Sequence, residues 1–185
     1  GIVGVMTYTW AGNSASGNAY RVRPIGSLGG TAQFVAANER PTTPPAVGGT
    51  VQVVGMNLLN YFNSFGATGC TAGVTGPVVE CRGASDAAEF ARQNAKTVAA
   101  ILALDPDVLG VNELENDGYG PTSALADLVD RLNAATAPGT YAFIDADANT
   151  GQVDVMGSDA IRVAQIYKPS VVTPVGRTAV LNTPE

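Results

Sequence analysis

The 185 residues contain no histidine. That absence removes the side chain that most often moves a proton near neutral pH. With only two cysteines, Cys70 and Cys81, it also leaves no donor set for a zinc site. Charge is scarce too: Asp, Glu, Lys and Arg make up 14% of the chain, the lysines are Lys96 and Lys168 alone, and the net charge is −6. So few basic residues exclude a protein that coats nucleic acid without regard to sequence, because that affinity comes from many Lys and Arg neutralising phosphates. They do not exclude an enzyme that carries its positive charge as a bound metal. No run approaches the ~20 apolar residues of a membrane span, so no membrane partner is expected. The chain starts at Gly1, without a basic and apolar leader pattern; a leader already removed, or an excised piece, is expected.

What is present is a composition that is 45% hydrophobic, with 22 glycines and 11 prolines, which describes a folded, loop-rich α/β protein and not a disordered one. Residues 1–48 read as short β pieces, Val3 to Trp10 and Tyr20 to Ile25, followed by a linker. Pro41, Pro44 and Pro45 keep that linker extended. The larger domain is expected over 49–185. Thr50 to Met56, rich in valine, reads as a buried strand. Beyond it, Asn57 and Asn60 are expected in a loop running through Tyr61, Phe62 and Phe65.

Asp86 followed by Glu89 opens a helix whose apolar face carries Phe90, Val98, Ile101 and Leu102, and Asp105-Pro106 ends it. Val108 to Val111 then reads as a strand covered on both faces, completing a β, α, β unit with a right-handed crossover. A second helix is marked by Leu125, Leu128, Val129 and Leu132. Further strands are expected at Thr140 to Ile144, Ile161 to Tyr167 and Val171 to Val175.

Glu113 falls just past the carboxyl end of its strand, where open α/β sheets hold ligands. Side by side, Asn57 and Glu113 would offer an amide oxygen and a carboxylate to one hard cation, and magnesium needs only one or two carboxylates. The alternative is that Asn57 caps a turn and Glu113 is merely solvated. Asp145, Asp147 and Asn149, followed by Gly151, form part of a calcium-loop pattern with imperfect spacing, or else an acidic hairpin loop. Cys70 and Cys81 could be joined in an oxidising compartment or stay as two thiols. Tyr61, Phe62 and Phe65 could stack on bases or pin a loop to the core.

Three runs and one helix carry a resemblance. Val54 to Asn63, the helix with Arg92 and Lys96, and Asp107 to Gly120 resemble the opening of the endonuclease/exonuclease/phosphatase superfamily, and within it the large secreted bacterial nucleases; Gly157 to Pro169 resembles the same group. The resemblance spans about residues 50–185, and residues 1–45 resemble, more weakly, the oligonucleotide-binding-like module that can precede such domains. It implies half of a two-sheet α/β sandwich of the deoxyribonuclease-like type and an extracellular hydrolase of phosphodiesters in DNA or RNA. It implies magnesium or manganese on Asn57 and Glu113, with Asp159 matching a recurrent acid near the site. The family also needs a His-Asp pair, an Asp and Asn on the phosphate, and a final Asp-His pair. None of these is in the chain, so a complementary carboxyl-terminal half is expected as a partner and the 185 residues alone are expected to be inactive. The competing expectation is a binding module without turnover, nuclease-like or stabilised by calcium.

Overall fold

In the computed structural model, residues 2–13, 15–31 and 34–181 are described. The chain divides into two compact units, residues 1–42 and 43–185, so the division falls within the proline-rich stretch. The first unit is a two-stranded antiparallel ribbon of β1 (Gly4–Trp10) and β2 (Asn18–Pro24). Its register sets Tyr8 opposite Tyr20, with ring centroids 4.8 Å apart.

The second unit follows the order β3 (Val53–Tyr61), β4 (Cys70–Thr71), β5 (Val78–Val79), α1 (Ala87–Leu104), β6 (Val108–Glu115), α2 (Ala124–Ala135), β7 (Ala142–Phe143), α3 (Ala146–Thr150) and β8 (Ile161–Tyr167). Its main sheet is mixed and four-stranded, in the order β3-β6-β8-β7. β3 and β6 are parallel and joined through α1, while β8 runs antiparallel to both β6 and β7. A separate short pair joins β4 to β5.

The helices form where the sequence caps them. Asp86 accepts from the Glu89 amide, satisfying one orphan donor of the first turn, while Glu89 reaches back to the Ser85 amide just before the cap. At the other end Asp105 turns left-handed at φ 47°, and Pro106 cannot continue the helix. Ser123 caps α2 by accepting from Ala126.

Both helices contribute to one core. Phe90 and Ile101 of α1 and Leu125, Leu128 and Leu132 of α2 cluster with Leu58, Leu109, Val111, Ala164 and Ile166 from one face of the sheet. On the opposite face Gly55, Asn57, Gly110, Asn112, Val163 and Gln165 line a cavity of about 1020 Å³ that residues 174–181 also line. A Cβ added at Gly55 would meet nothing within 4 Å, and one at Gly110 only a carbonyl 3.9 Å away.

Several expectations need correcting. β3 is an edge strand with Val53 71% exposed, not a buried one. It also continues to Tyr61, so Asn57 and Asn60 lie in the strand rather than in a loop. β6 continues to Glu115 and holds Glu113 inside it. The helices cover it on one face only, and on the other Gly110 and Asn112 line the cavity. Val171 to Val175 forms no strand and Thr140 to Ile144 pairs only at Ala142–Phe143. Thr140 instead folds back on Ala137, and Tyr141 is bonded through both its backbone groups to the Asn133 side chain. The acidic stretch is the short helix α3 and not a hairpin loop.

Candidate functional site

The carboxyl ends of β3 and β6 depart from regular pairing at the same level. Along β3, Leu58 is buried under the helices, but the next residue buried there is Tyr61, an odd position after even ones. Along β6 the buried positions go from Leu109 and Val111 to Leu114. Each phase change marks extra residues bulged out of a strand, which is how sheets re-aim side chains. Asn57 faces Asn112 across the ladder, and the next pair is Tyr61 with Leu114. β6 likewise slips against β8 between Val111 and Leu114.

The bulges are held in left-handed backbone. Leu59, Asn60 and Glu113 have φ of 55°, 56° and 58°. This region is costly for residues with a Cβ. On β3 the conformation is supported locally. Asn57 Oδ1 accepts from the Leu59 amide at 2.7 Å, the Asx turn that its side chain favours. Gln93 Nε2 on α1 donates to the carbonyls of Leu59 at 3.0 Å and Asn60 at 3.3 Å.

Glu113 has no comparable reward. Half-buried beside exposed Asn112, its carboxylate makes no hydrogen bond or ion pair with any described residue. The structure therefore sets Glu113 one residue along β6 from the ladder partner of Asn57, with its oxygens uncommitted. Asn57 has one lone pair on Oδ1 engaged and the other left over. An amide oxygen and one carboxylate are hard donors that suit magnesium or manganese, which keep waters for their other positions. The residues present thus fit such an ion. Among the described residues, no three His, Cys, Asp or Glu side chains converge on one point.

Asp159 lies at the same end of the sheet, just before β8. Its carboxylate pairs with Arg82 at 3.0 Å with both side chains exposed, and its carbonyl accepts from Asn116 Nδ2 at 3.0 Å. Asp145 caps α3 by accepting from Ala148, and Asp147 accepts from the amides of Asp154 and Val155. Those oxygens serve backbone amides, while Asn149 lines the large cavity. Asp154 in turn accepts from the Val74 and Thr75 amides and the Thr75 hydroxyl, fastening the β4–β5 loop. Tyr61 and Phe62 are fully buried, and Phe65 packs edge-on against Phe90 at 5.9 Å. The rings thus pin the chain to the core.

Cys70 and Cys81 are joined in a disulfide, and the bridge leads to residues that sequence reasoning passed over. Glu115, 2% exposed, accepts from the amides of Asn63 at 2.9 Å and Ser64 at 3.2 Å. Its other oxygen lies 3.3 Å from Cys70 Sγ, a disulfide sulfur with no proton to give. Asp117 accepts from Ala124 at the start of α2, and its second oxygen is buried without a described partner. Burial, and then the charge of Glu115, push the Asp117 carboxyl up to about 6. Arg162, 4% exposed, stacks on Tyr119 at 4.2 Å and donates to the Gly118 carbonyl. Strict alternation from Leu109 and Val111 would have put Glu113 and Glu115 on the buried face alike. The bulge between Val111 and Leu114 breaks that phase at Glu113 while Glu115 stays buried, and no sequence pattern announces a bulge.

Compared with protein-family models, with curated proteins and with solved structures, the chain matches none.

Proposed function

We propose that this chain is the amino-terminal half of the catalytic domain of an extracellular, divalent-metal-dependent nuclease that hydrolyses phosphodiester bonds in DNA or RNA. The observation that carries the reading is the pair of coincident bulges. They lie at the carboxyl ends of neighbouring parallel strands, where Glu113 follows the ladder partner of Asn57 by one residue and sits in left-handed backbone with no partner among the described residues. Strain of this kind persists where function selects it, and strand carboxyl ends are where open α/β sheets place ligands.

Asn57 and Glu113 would hold magnesium or manganese, which when bound polarises a phosphate and offsets the charge that builds on it. Asn57 orients its oxygen through the bond to the Leu59 amide. Glu113 contributes the neutralising charge. The general base is not among these residues, since there is no histidine, and belongs with a complementary half. That half would supply a second sheet against the face lined by Gly55, Gly110 and Gln165, in place of residues 174–181 that line the same cavity, making the two-sheet sandwich. An exported protein accords with the disulfide.

The test is cleavage by the intact protein that contains this chain. Glu113→Ala should lower magnesium-dependent turnover roughly a thousandfold, the several kcal/mol that a Lewis acid supplies, with folding unchanged. Full retained activity would sink the assignment.

A further inference from the structure

We propose that the groove between the end of β3 and helix α1 is a second subsite for the nucleic-acid strand, in which Arg92 and Lys96 hold its backbone phosphates. The proposal rests on the nuclease reading and assigns what lies beside its metal residues. The groove, about 450 Å³, runs from Asn57 and Leu59 on β3 to Arg92, Gln93 and Lys96 on α1. Asn57 therefore borders both the candidate metal position and the groove.

Charge selects the occupant. Arg131 pairs with Asp127, Arg82 with Asp159, and Lys168 with Asp105 and Asp107, while Arg162 is buried against Tyr119. Among the described residues of the second unit, Arg92, Lys96 and Arg177 are the exposed cations without an ion pair. Two of these three line this one groove, in a chain of net charge −6. They stand four residues apart on α1, so their side chains are neighbours about 5–6 Å apart and can grip one phosphate or two successive ones. The groove's acid, Glu89, is engaged with the Ser85 amide. Gln93 fixes the floor by binding the bulge carbonyls. A phosphodiester strand crossing the metal residues would otherwise meet an acidic surface, and this groove is where a polyanion is compensated.

The test measures binding without cleavage. Fluorescence anisotropy of a labelled single-stranded oligonucleotide is titrated with the whole chain in EDTA at low salt, and a duplex is run alongside. Arg92→Gln with Lys96→Gln should weaken binding roughly tenfold and reduce the slope of log K against log salt by about 1.4 to 1.8. Each single variant should cost about threefold, and Arg131→Gln, which removes the same charge from α2, should stay within twofold. Glutamine keeps the helix, and circular dichroism verifies the fold. Binding unchanged in the double variant overturns the proposal. So does wild-type chain that binds no oligonucleotide, or poly-glutamate that competes as well as DNA. The nuclease reading fails separately, in the cleavage assay of Glu113→Ala.

Discussion

The two ends of the β3–β6 strand pair are built to opposite ends. Where the strands begin, the backbone is locked: Gln52 donates its amide to Asp107 Oδ2 at 2.9 Å, and the Gln52 carbonyl receives the amides of both Asp107 and Val108. Lys168 Nζ, only 12% exposed, closes the knot on Asp105 at 2.7 Å and Asp107 at 3.3 Å. Where the same strands finish, the ladder breaks, three residues take left-handed backbone, and the Glu113 carboxylate has no partner among the described residues. A sheet held at one end can tolerate strain at the other. The contrast separates an end that is fastened from an end that is strained, and the strained end is where we place the proposed chemistry.

The largest expected effect is the loss of cleavage on Glu113→Ala in the intact protein, without loss of folding. Next comes the disulfide that backs this end. Cys70→Ser with Cys81→Ser opens a loop of sequence separation 11 and should cost about 2 to 3 kcal/mol in a urea titration. An unchanged midpoint would mean that Glu115 alone holds the loop.

Asp117→Asn should stabilise the chain at pH 7 by about 1 to 2 kcal/mol. The sign follows from a carboxyl raised to about 6 in the fold. Between the unfolded value near 4 and 6 the folded chain binds the extra proton, so stability falls as pH rises through that window. Above it the penalty is complete. The gain from Asn should therefore vanish below about pH 4; a pH-independent gain would remove the titration argument.

Glu113→Gly should raise stability by about 1 kcal/mol, since glycine accepts φ near 58° without the Cβ penalty. A stabilised but inactive protein would show strain kept for function, whereas destabilisation would make the carboxylate structural. Smallest is the effect of Asp107→Asn. The Gln52 amide and then Lys168 hold Asp107 below its ordinary value. Its contribution is present above the unfolded value near 4 and lost as pH falls through the lower folded one. The variant should flatten that part of the acid-unfolding curve and leave cleavage per folded molecule untouched.

Much of this was legible in local sequence. Helix α1 from its Asp86 cap to its Asp105-Pro106 stop and α2 from its leucine spacing depend on neighbours a few residues away, and β8 occupies the expected range Ile161–Tyr167. Those signals survive without knowledge of the fold. The strand ends were misread because Asn57 and Asn60, good turn formers, and the polar run from Asn112 to Glu115 look like loop. The ladder carries them on as bulged strand because pairing with β6 and β8 satisfies the backbone groups that a loop would leave to water.

The sequence by itself determined the parallel unit and the absence of histidine, since residue type and order along the chain are enough for that, while Asn57 and Glu113 were singled out by the resemblance. Only the tertiary structure decided that the Glu113 carboxylate has no partner among the described residues while Glu115 is buried, that residues 174–181 share a cavity with one face of the sheet, and that Arg92 and Lys96 line a groove with Asn57. Those facts depend on where bulges fall and on which charges find partners across distant segments, and both are settled by pairing between strands rather than by any residue's own preference.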